Sequence, residues 1–110
     1  MDTPKRLVII SPEAANDIQE IYLYGYETFG KNLAESFKSE LLSMIRCLST
    51  SYLSYPECRQ IPTKSKMYRN IIIGSYLIIY RITPQRIEVL KAVSSRKSVT
   101  KIRSSRRIKL

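Results

Sequence analysis

Residues Tyr68–Lys97 read YRNIIIGSYLIIYRITPQRIEVLKAVSSRK. Three apolar runs, Met67–Ile73, Tyr76–Ile82 and Ile87–Val93, are separated by Gly74-Ser75 and Thr83-Pro84-Gln85. β-Branched and aromatic residues dominate each run, a composition that suits a pleated, packed surface. Gly followed by Ser between two such runs is a two-residue hairpin signal. The stretch therefore predicts three consecutive antiparallel strands. Cations bound the runs, and Glu88 is the single acid within them.

Upstream, Lys5–Ile10 (KRLVII) suits a first strand that ends at Ser11-Pro12. Ser11 is a favourable N-cap. Pro12 fits the first helical position, where a missing N–H costs nothing. Ala15, Ile18, Ile21, Tyr22 and Phe29 recur at helical spacing, and Gly30 is a natural stop. A first helix over 12–29 follows. A second, from Lys31 to Ser49, carries an apolar stripe of Ala34, Phe37, Leu41, Met44, Ile45 and Leu48. Two amphipathic helices joined by one glycine predict a helical hairpin. Ser49–Ser65 holds Pro56 and Pro62 and reads as a loop, with a short extended piece near Arg59-Gln60-Ile61. The expected fold class is α+β: an N-terminal strand, a helical hairpin, then a three-stranded antiparallel sheet. The hairpin stripe covers a sheet that counts four strands once the first is included. Residues 1–98 form the expected domain, and 99–110 a basic tail whose pattern fits helix, strand or disorder alike.

A chain of 110 residues with 44% hydrophobic content can bury one small core. No run approaches the ~18 apolar residues of a membrane span. The N-terminal apolar run is only four residues long, with no cleavage-site pattern, so a cytoplasmic protein is expected. Cys47 and Cys58 form no metal motif and read as reduced thiols. The chain has no histidine, which removes Ser-His and Cys-His nucleophile pairs and most transition-metal sites. No metal and no cofactor are expected.

The net charge of +10 is unevenly spread. Residues 1–64 carry seven Lys/Arg and eight Asp/Glu, whereas residues 65–110 carry twelve Lys/Arg and one acid. A half-chain at +11 points to a polyanionic partner. Arg69 opens the predicted hairpin, Arg81 nearly closes it, and Arg96 and Lys97 follow the last strand. The expectation is that these cations share one rim of the sheet, with Lys101 and Arg103 beyond it. Guanidinium groups on rigid strand ends suit bidentate phosphate contact. Tyr76 and Tyr80 flank Ile78 on one strand face, as sheet core or as a stacking platform. Tyr22, Tyr24 and Tyr26 cannot all be core at helical spacing, so part of helix one presents aromatic surface of the kind that meets a protein partner.

The segments SPEAANDIQEIYLYGYETFG, YRNIIIGSYLIIYRI and IEVLKAVSSRK, in this order and spacing, resemble the RelE/ParE superfamily of bacterial toxins. The resemblance spans residues 6–98 or so. It implies a type II toxin–antitoxin pair whose antitoxin wraps the toxin, with Tyr22, Tyr26, Tyr76 and Tyr80 as candidate antitoxin contacts. It also implies that the pair represses its own operator DNA. RelE-like members cut mRNA on the ribosome without a metal, while ParE-like members poison DNA gyrase. Arg69 and Arg96 fall where ribonuclease members place basic residues. Leu77 stands where those members carry a central arginine, Ile102 near where some carry a tyrosine, and Ser94 where many have His or Gly. These departures favour a gyrase-directed toxin, with Arg69, Arg96, Lys97, Lys101 and Arg103 as target- or nucleic-acid-binding residues. The alternative is a ribosome-dependent endoribonuclease with Arg69, Arg81 and Arg96 as catalytic charge stabilisers. A further alternative is a non-toxic basic nucleic-acid binder.

Overall fold

The structure, a computed structural model, describes residues 4–96 and 99–110. Strand β1 (Leu7–Ile10) leads into helix α1 (Pro12–Phe29) and helix α2 (Lys31–Ser51). Strands β2 (Tyr68–Ile73), β3 (Tyr76–Ile82) and β4 (Arg86–Ser94) follow a long loop. A short helix α3 (Val99–Arg103) and a 3₁₀ turn (Ser104–Arg107) complete the chain. The α+β order predicted from the sequence is therefore the observed one.

Each element has a local cause. Ser11 caps α1: its Oγ accepts from the Ala14 N–H at 2.9 Å and donates to the Leu90 carbonyl at 2.7 Å. Pro12 occupies the first turn, as expected. Gly30 ends α1 at φ 94°, where a side chain would be strained, and its N–H donates to Tyr26 O. Gly74, at φ 57°, opens the β2–β3 turn, and the turn has its positive φ at that first position only, as the tight right-twisted hairpin prefers.

The sheet order is β1-β4-β3-β2. β2–β3 and β3–β4 are antiparallel, and β1 joins the outer side of β4 in parallel, Val8 opposite Ile87. A bulge sits where Tyr80 pairs with Val89 and Ile79 with Lys91, which leaves Leu90 as the extra residue. Its effect on the core is specific. Ile87 and Val89 face the helices, and an unbroken strand would send Lys91 after them. The bulge hands that face to Ala92 and puts Leu90 and Val93 on the other.

Two cores result. On one face Ile18 of α1 and Leu41, Ile45 and Leu48 of α2 pack on Ile71, Ile78, Tyr80 and Val89. On the opposite face Leu77, Ile79, Leu90 and Val93 pack under Cys58, Ile61 and Ile102. The near-continuous apolar runs of β3 and β4 are those of strands buried on both sides, whereas Ile72 of the edge strand β2 is 66% exposed. The tail residues Ile102 and Ser105 are 1% and 0% exposed, so the final segment is a cover for the sheet.

Three local expectations differ. Ala14, one residue from the predicted Ala15, takes the buried position of α1, and Phe29 is 64% exposed. The inward face of α1 runs through Ala14, Ile18 and Ile21, and Phe29 lies in the last turn beyond the sheet. The extended piece expected near Arg59-Gln60-Ile61 lies a little earlier: Glu57 bridges Arg69, and the Cys58 N–H donates to Tyr68 O at 2.9 Å. Pro56 and Pro62, which lack donors, frame the one stretch free to pair.

Replacing Ser11 by Ala removes a helix cap and leaves buried backbone partners unsatisfied. The expected cost is about 1–3 kcal/mol. Urea unfolding of the variant measures it, and Ser11→Thr is expected to retain most of the stability.

Candidate functional site

The basic residues singled out above fall into three separate places. Tyr68 pairs with Arg81 and Arg69 with Tyr80, so Arg69 and Arg81 sit at the same end of the β2–β3 ladder. Directly opposed residues share a face, and Tyr80 belongs to the helix-side core whereas Tyr68 packs on the tail-side core. Arg69 and Arg81 therefore lie on opposite faces of the sheet. Arg96 follows the other end of β4, where the Ser95 N–H donates to Ser75 O beside the hairpin turn. Some seven strand residues at ~3.3 Å each separate that end from Arg81. The expected cluster of Arg69, Arg81 and Arg96 on one rim is not formed.

Arg81 is structural. Its Nε donates to Glu88 Oε1 at 2.6 Å, its Nη2 to Ile108 O at 3.0 Å, and its side chain is only 13% exposed. Arg86 holds the other carboxylate oxygen, with Nε 2.8 Å from Glu88 Oε2, and donates from Nη2 to Leu110 O. Glu88, the lone acid of the basic half, is thus the hub that fastens two arginines, and through them the tail, to the sheet. Burial alone would raise the Glu88 carboxyl. The hydrogen bonds and charges of Arg81 and Arg86 outweigh it and hold the group below the usual carboxylate range.

Arg69 is held by backbone carbonyls of the loop: Nε by Lys66 O, and Nη1 by Leu53 O and Tyr55 O at 3.1 and 2.9 Å. Arg96 is exposed, and its guanidinium makes no hydrogen bond or ion pair among the described residues. Lys97 lies outside the described residues. Lys101 is exposed beside Asp17, Glu20 and Lys91 in a cleft between α1 and β4. Arg103 donates from Nε to Gln60 O, tying α3 to the loop.

The tyrosines also divide. Tyr80 is 0% exposed and donates its hydroxyl to Tyr52 O at 2.7 Å. Burial pushes its phenol well above the ordinary value, so Tyr80 is core and offers no surface to a partner. Tyr76 is half-buried against Phe37. Tyr22 packs on Tyr26 and lies under the Lys38 ammonium, 4.9 Å from the ring centre. Tyr26 is exposed, and the helical tip around it is more apolar than the tyrosines alone indicate: Leu23, Tyr24, Phe29 and Leu33 are each about half exposed or more. A cleft of about 350 Å³ opens there, lined by Tyr24, Phe29, Leu33 and Phe37. The sequence pattern places Phe29 in the apolar spacing of the first helix and leaves Leu33 out of the stripe of the second. Their flanking of Gly30 was the available signal, because a hairpin tip lies beyond the sheet that covers the rest. Asp17 of α1 accepts from the Ala92 N–H at 3.0 Å and lies 3.6 Å from Lys91 Nζ.

Two residues unremarked in the sequence complete the basic surface. Arg6 stacks its guanidinium 4.7 Å from the centre of the Tyr52 ring and donates to Thr83 O. With Lys66 and Arg69 it lines a cleft beside the β2–β3 end. Among the described residues no His, Cys, Asp and Glu group could hold a metal ion, and no helix is long and apolar enough to cross a membrane.

Residues 8–99 match the family described as "ParE toxin of type II toxin-antitoxin system, parDE". Among solved structures, a chain of the chromosomal ParDE toxin–antitoxin system from P. aeruginosa shares the fold at a TM-score of 0.67 and 14% identity. The match covers 84% of this chain and 98% of that one. A search of curated proteins finds no match.

Proposed function

The chain belongs to the ParE toxin family of type II toxin–antitoxin systems, and from that premise we propose that it arrests growth by acting on DNA gyrase and is neutralised by a cognate antitoxin. The observation that carries the choice of target is the dispersal of the cations. Cleavage of RNA by its own 2′-hydroxyl needs a proton acceptor and charge stabilisers converging on one phosphate. Here Arg81 is committed to Glu88, Tyr80 is buried, Leu77 is in the tail-side core, and Arg96 stands at the far end of the sheet. A surface that binds a large partner has no such need for convergence. Arg96, Lys101 and Arg103, all exposed near the end of β4 and on α3, are suited to engage gyrase or its DNA.

The antitoxin reading rests on the exposed apolar tip of the helical hairpin. Leu23, Tyr24, Tyr26, Phe29 and Leu33 form the sort of patch that soluble chains cover with a partner. An antitoxin segment with apolar residues for this tip and acidic residues for the basic half meets both demands. Binding of the resulting pair to operator DNA belongs to the same proposal.

Pulse-labelling after induction of the toxin alone tests the target. Thymidine incorporation is expected to fall first, with methionine incorporation sustained, and the purified chain is expected to block supercoiling by gyrase. An early fall in methionine incorporation, abolished by Arg96→Ala, would instead establish the ribonuclease reading.

A further inference from the structure

The cleft lined by Arg6, Lys66 and Arg69 has no role in the reading above. Its volume is about 440 Å³, within the range of small-ligand sites. Three cations line it and no carboxylate does. This departs from the rest of the sheet. The ion pairs among the described residues neutralise Arg81, Arg86 and Lys91, each at a structural junction. In the cleft the cations are held by neutral groups instead. Arg69 is fixed through Nε and Nη1 by three loop carbonyls, and Arg6 by Thr83 O and the face of Tyr52. Such partners orient a guanidinium without cancelling its charge. Lys66 is the one described non-glycine residue with a positive φ, 55°. Arg69 reads the carbonyl of that turn directly, which couples the turn's geometry to the arginine.

Like charges brought together without a counter-ion raise the local affinity for an anion. Two guanidinium planes and an ammonium match the several oxygens of a phosphoryl group better than the two of a carboxylate. Beside the cations the lining holds two hydroxyl residues, Ser65 and Thr83, and an apolar set of Leu53, which is 56% exposed, Met67, Ile82 and Pro84. A flat apolar group attached to the anion has a surface to rest on. We propose that this cleft is a phosphoryl-binding site for a nucleotide unit, with Arg6, Lys66 and Arg69 contacting the phosphate and Leu53, Met67 and Ile82 the base or sugar. The unit is either a free nucleotide or one residue of a nucleic acid strand, two sources with the same chemistry. The site lies at the opposite end of the sheet from Arg96.

The test is an NMR titration of the full chain at low salt with adenosine 5′-monophosphate, following the Nε–H signals of Arg6 and Arg69. Both signals are expected to shift with the nucleotide and to stay put with adenosine. Lys66→Gln, at an exposed position, is expected to weaken binding about tenfold, the weight of one charge-assisted hydrogen bond. Arg6→Gln is expected to act in the same direction. Arg46→Gln, an exposed cation of α2 that does not line the cleft, is expected to leave affinity unchanged. Competition by a short single-stranded DNA oligonucleotide assigns the site to a nucleic acid strand, and its failure to compete assigns it to a free nucleotide. Absence of shifts at Arg6 and Arg69, or equal affinity in Lys66→Gln and the unaltered chain, overturns the proposal. Because the readout is binding in vitro, it succeeds or fails independently of the gyrase reading.

Discussion

Glu88→Gln is expected to destabilise the fold by about 3 kcal/mol, within the range for breaking one side of a buried ion pair. Glu88 is 4% exposed and accepts from both Arg81 and Arg86. Removing the charge leaves Arg81, itself largely buried, without a counter-ion in a poorly solvated position. The Ile108 carbonyl remains as a partner of Arg81, but a carbonyl dipole offsets less of a buried charge than a carboxylate does. The loss is expected in chemical unfolding at neutral pH, as a lower midpoint with the denaturant slope unchanged. The same linkage sets the acid limit. The folded-state Glu88 carboxyl titrates below its unfolded value, so its contribution is complete above the unfolded value. It is lost as pH falls through the lower, folded-state value. Stability of the unaltered chain should therefore drop steeply below about pH 4.5, and that of Glu88→Gln less so, narrowing the gap between them. Parallel unfolding curves for the two proteins at neutral pH and at low pH measure both effects. A variant as stable as the parent at neutral pH would show that the two arginines do not depend on Glu88.

Deletion of residues 99–110 is expected to have the larger effect. Ile102 and Ile108 pack on Leu77, Ile79, Leu90 and Val93. Losing the fully buried Ile102 side chain alone is worth about 2–5 kcal/mol. Uncovering the strand residues beneath adds to this, and Arg81 and Arg86 lose their backbone partners at Ile108 and Leu110. A domain of this size has about 5–15 kcal/mol in total, so the truncated chain is expected to be largely unfolded or aggregated at 37 °C. Circular dichroism and size-exclusion chromatography check this. Ile102→Ala, a milder change, is expected to lower the urea midpoint while keeping a cooperative transition. If the truncated chain folds with near-parental stability, the tail is an appendage, and its cations are free to serve a partner without cost to the fold.

The two experiments bear on function through the same residues. A basic tail invites mutation of its cations to test target binding. In this structure Arg103 also holds the loop through Gln60 O, and the backbone of 106–110 is clamped by Arg81 and Arg86. Loss of toxicity in a tail variant has to be separated from loss of fold. Arg96 offers a cleaner position, being exposed and off the tail-side core.

Much of this protein was decided by local sequence. The hairpin at Gly74-Ser75, the cap at Ser11-Pro12 and the break at Gly30 each follow from the φ angles and hydrogen-bonding groups of one or two residues. Those constraints act wherever the residues occur. The apolar stripe of α2 was equally legible, since helical spacing alone places Leu41, Ile45 and Leu48 on one face. The excess positive charge of the second half was visible by counting. What counting could not do was assign each cation a neighbour. Arg81 and Arg69 look equivalent in sequence, but the pleat sends them to opposite faces, one to a carboxylate and the other to three carbonyls. Arg6 and Lys66 come together only because the loop after α2 returns to the start of β2 while β1 lies alongside β4. The parallel placement of β1, the bulge at Leu90 and the docking of the tail are likewise long-range events. Each depends on which apolar surface was still uncovered when the rest had packed, and that quantity belongs to the folded chain as a whole and to no segment of it.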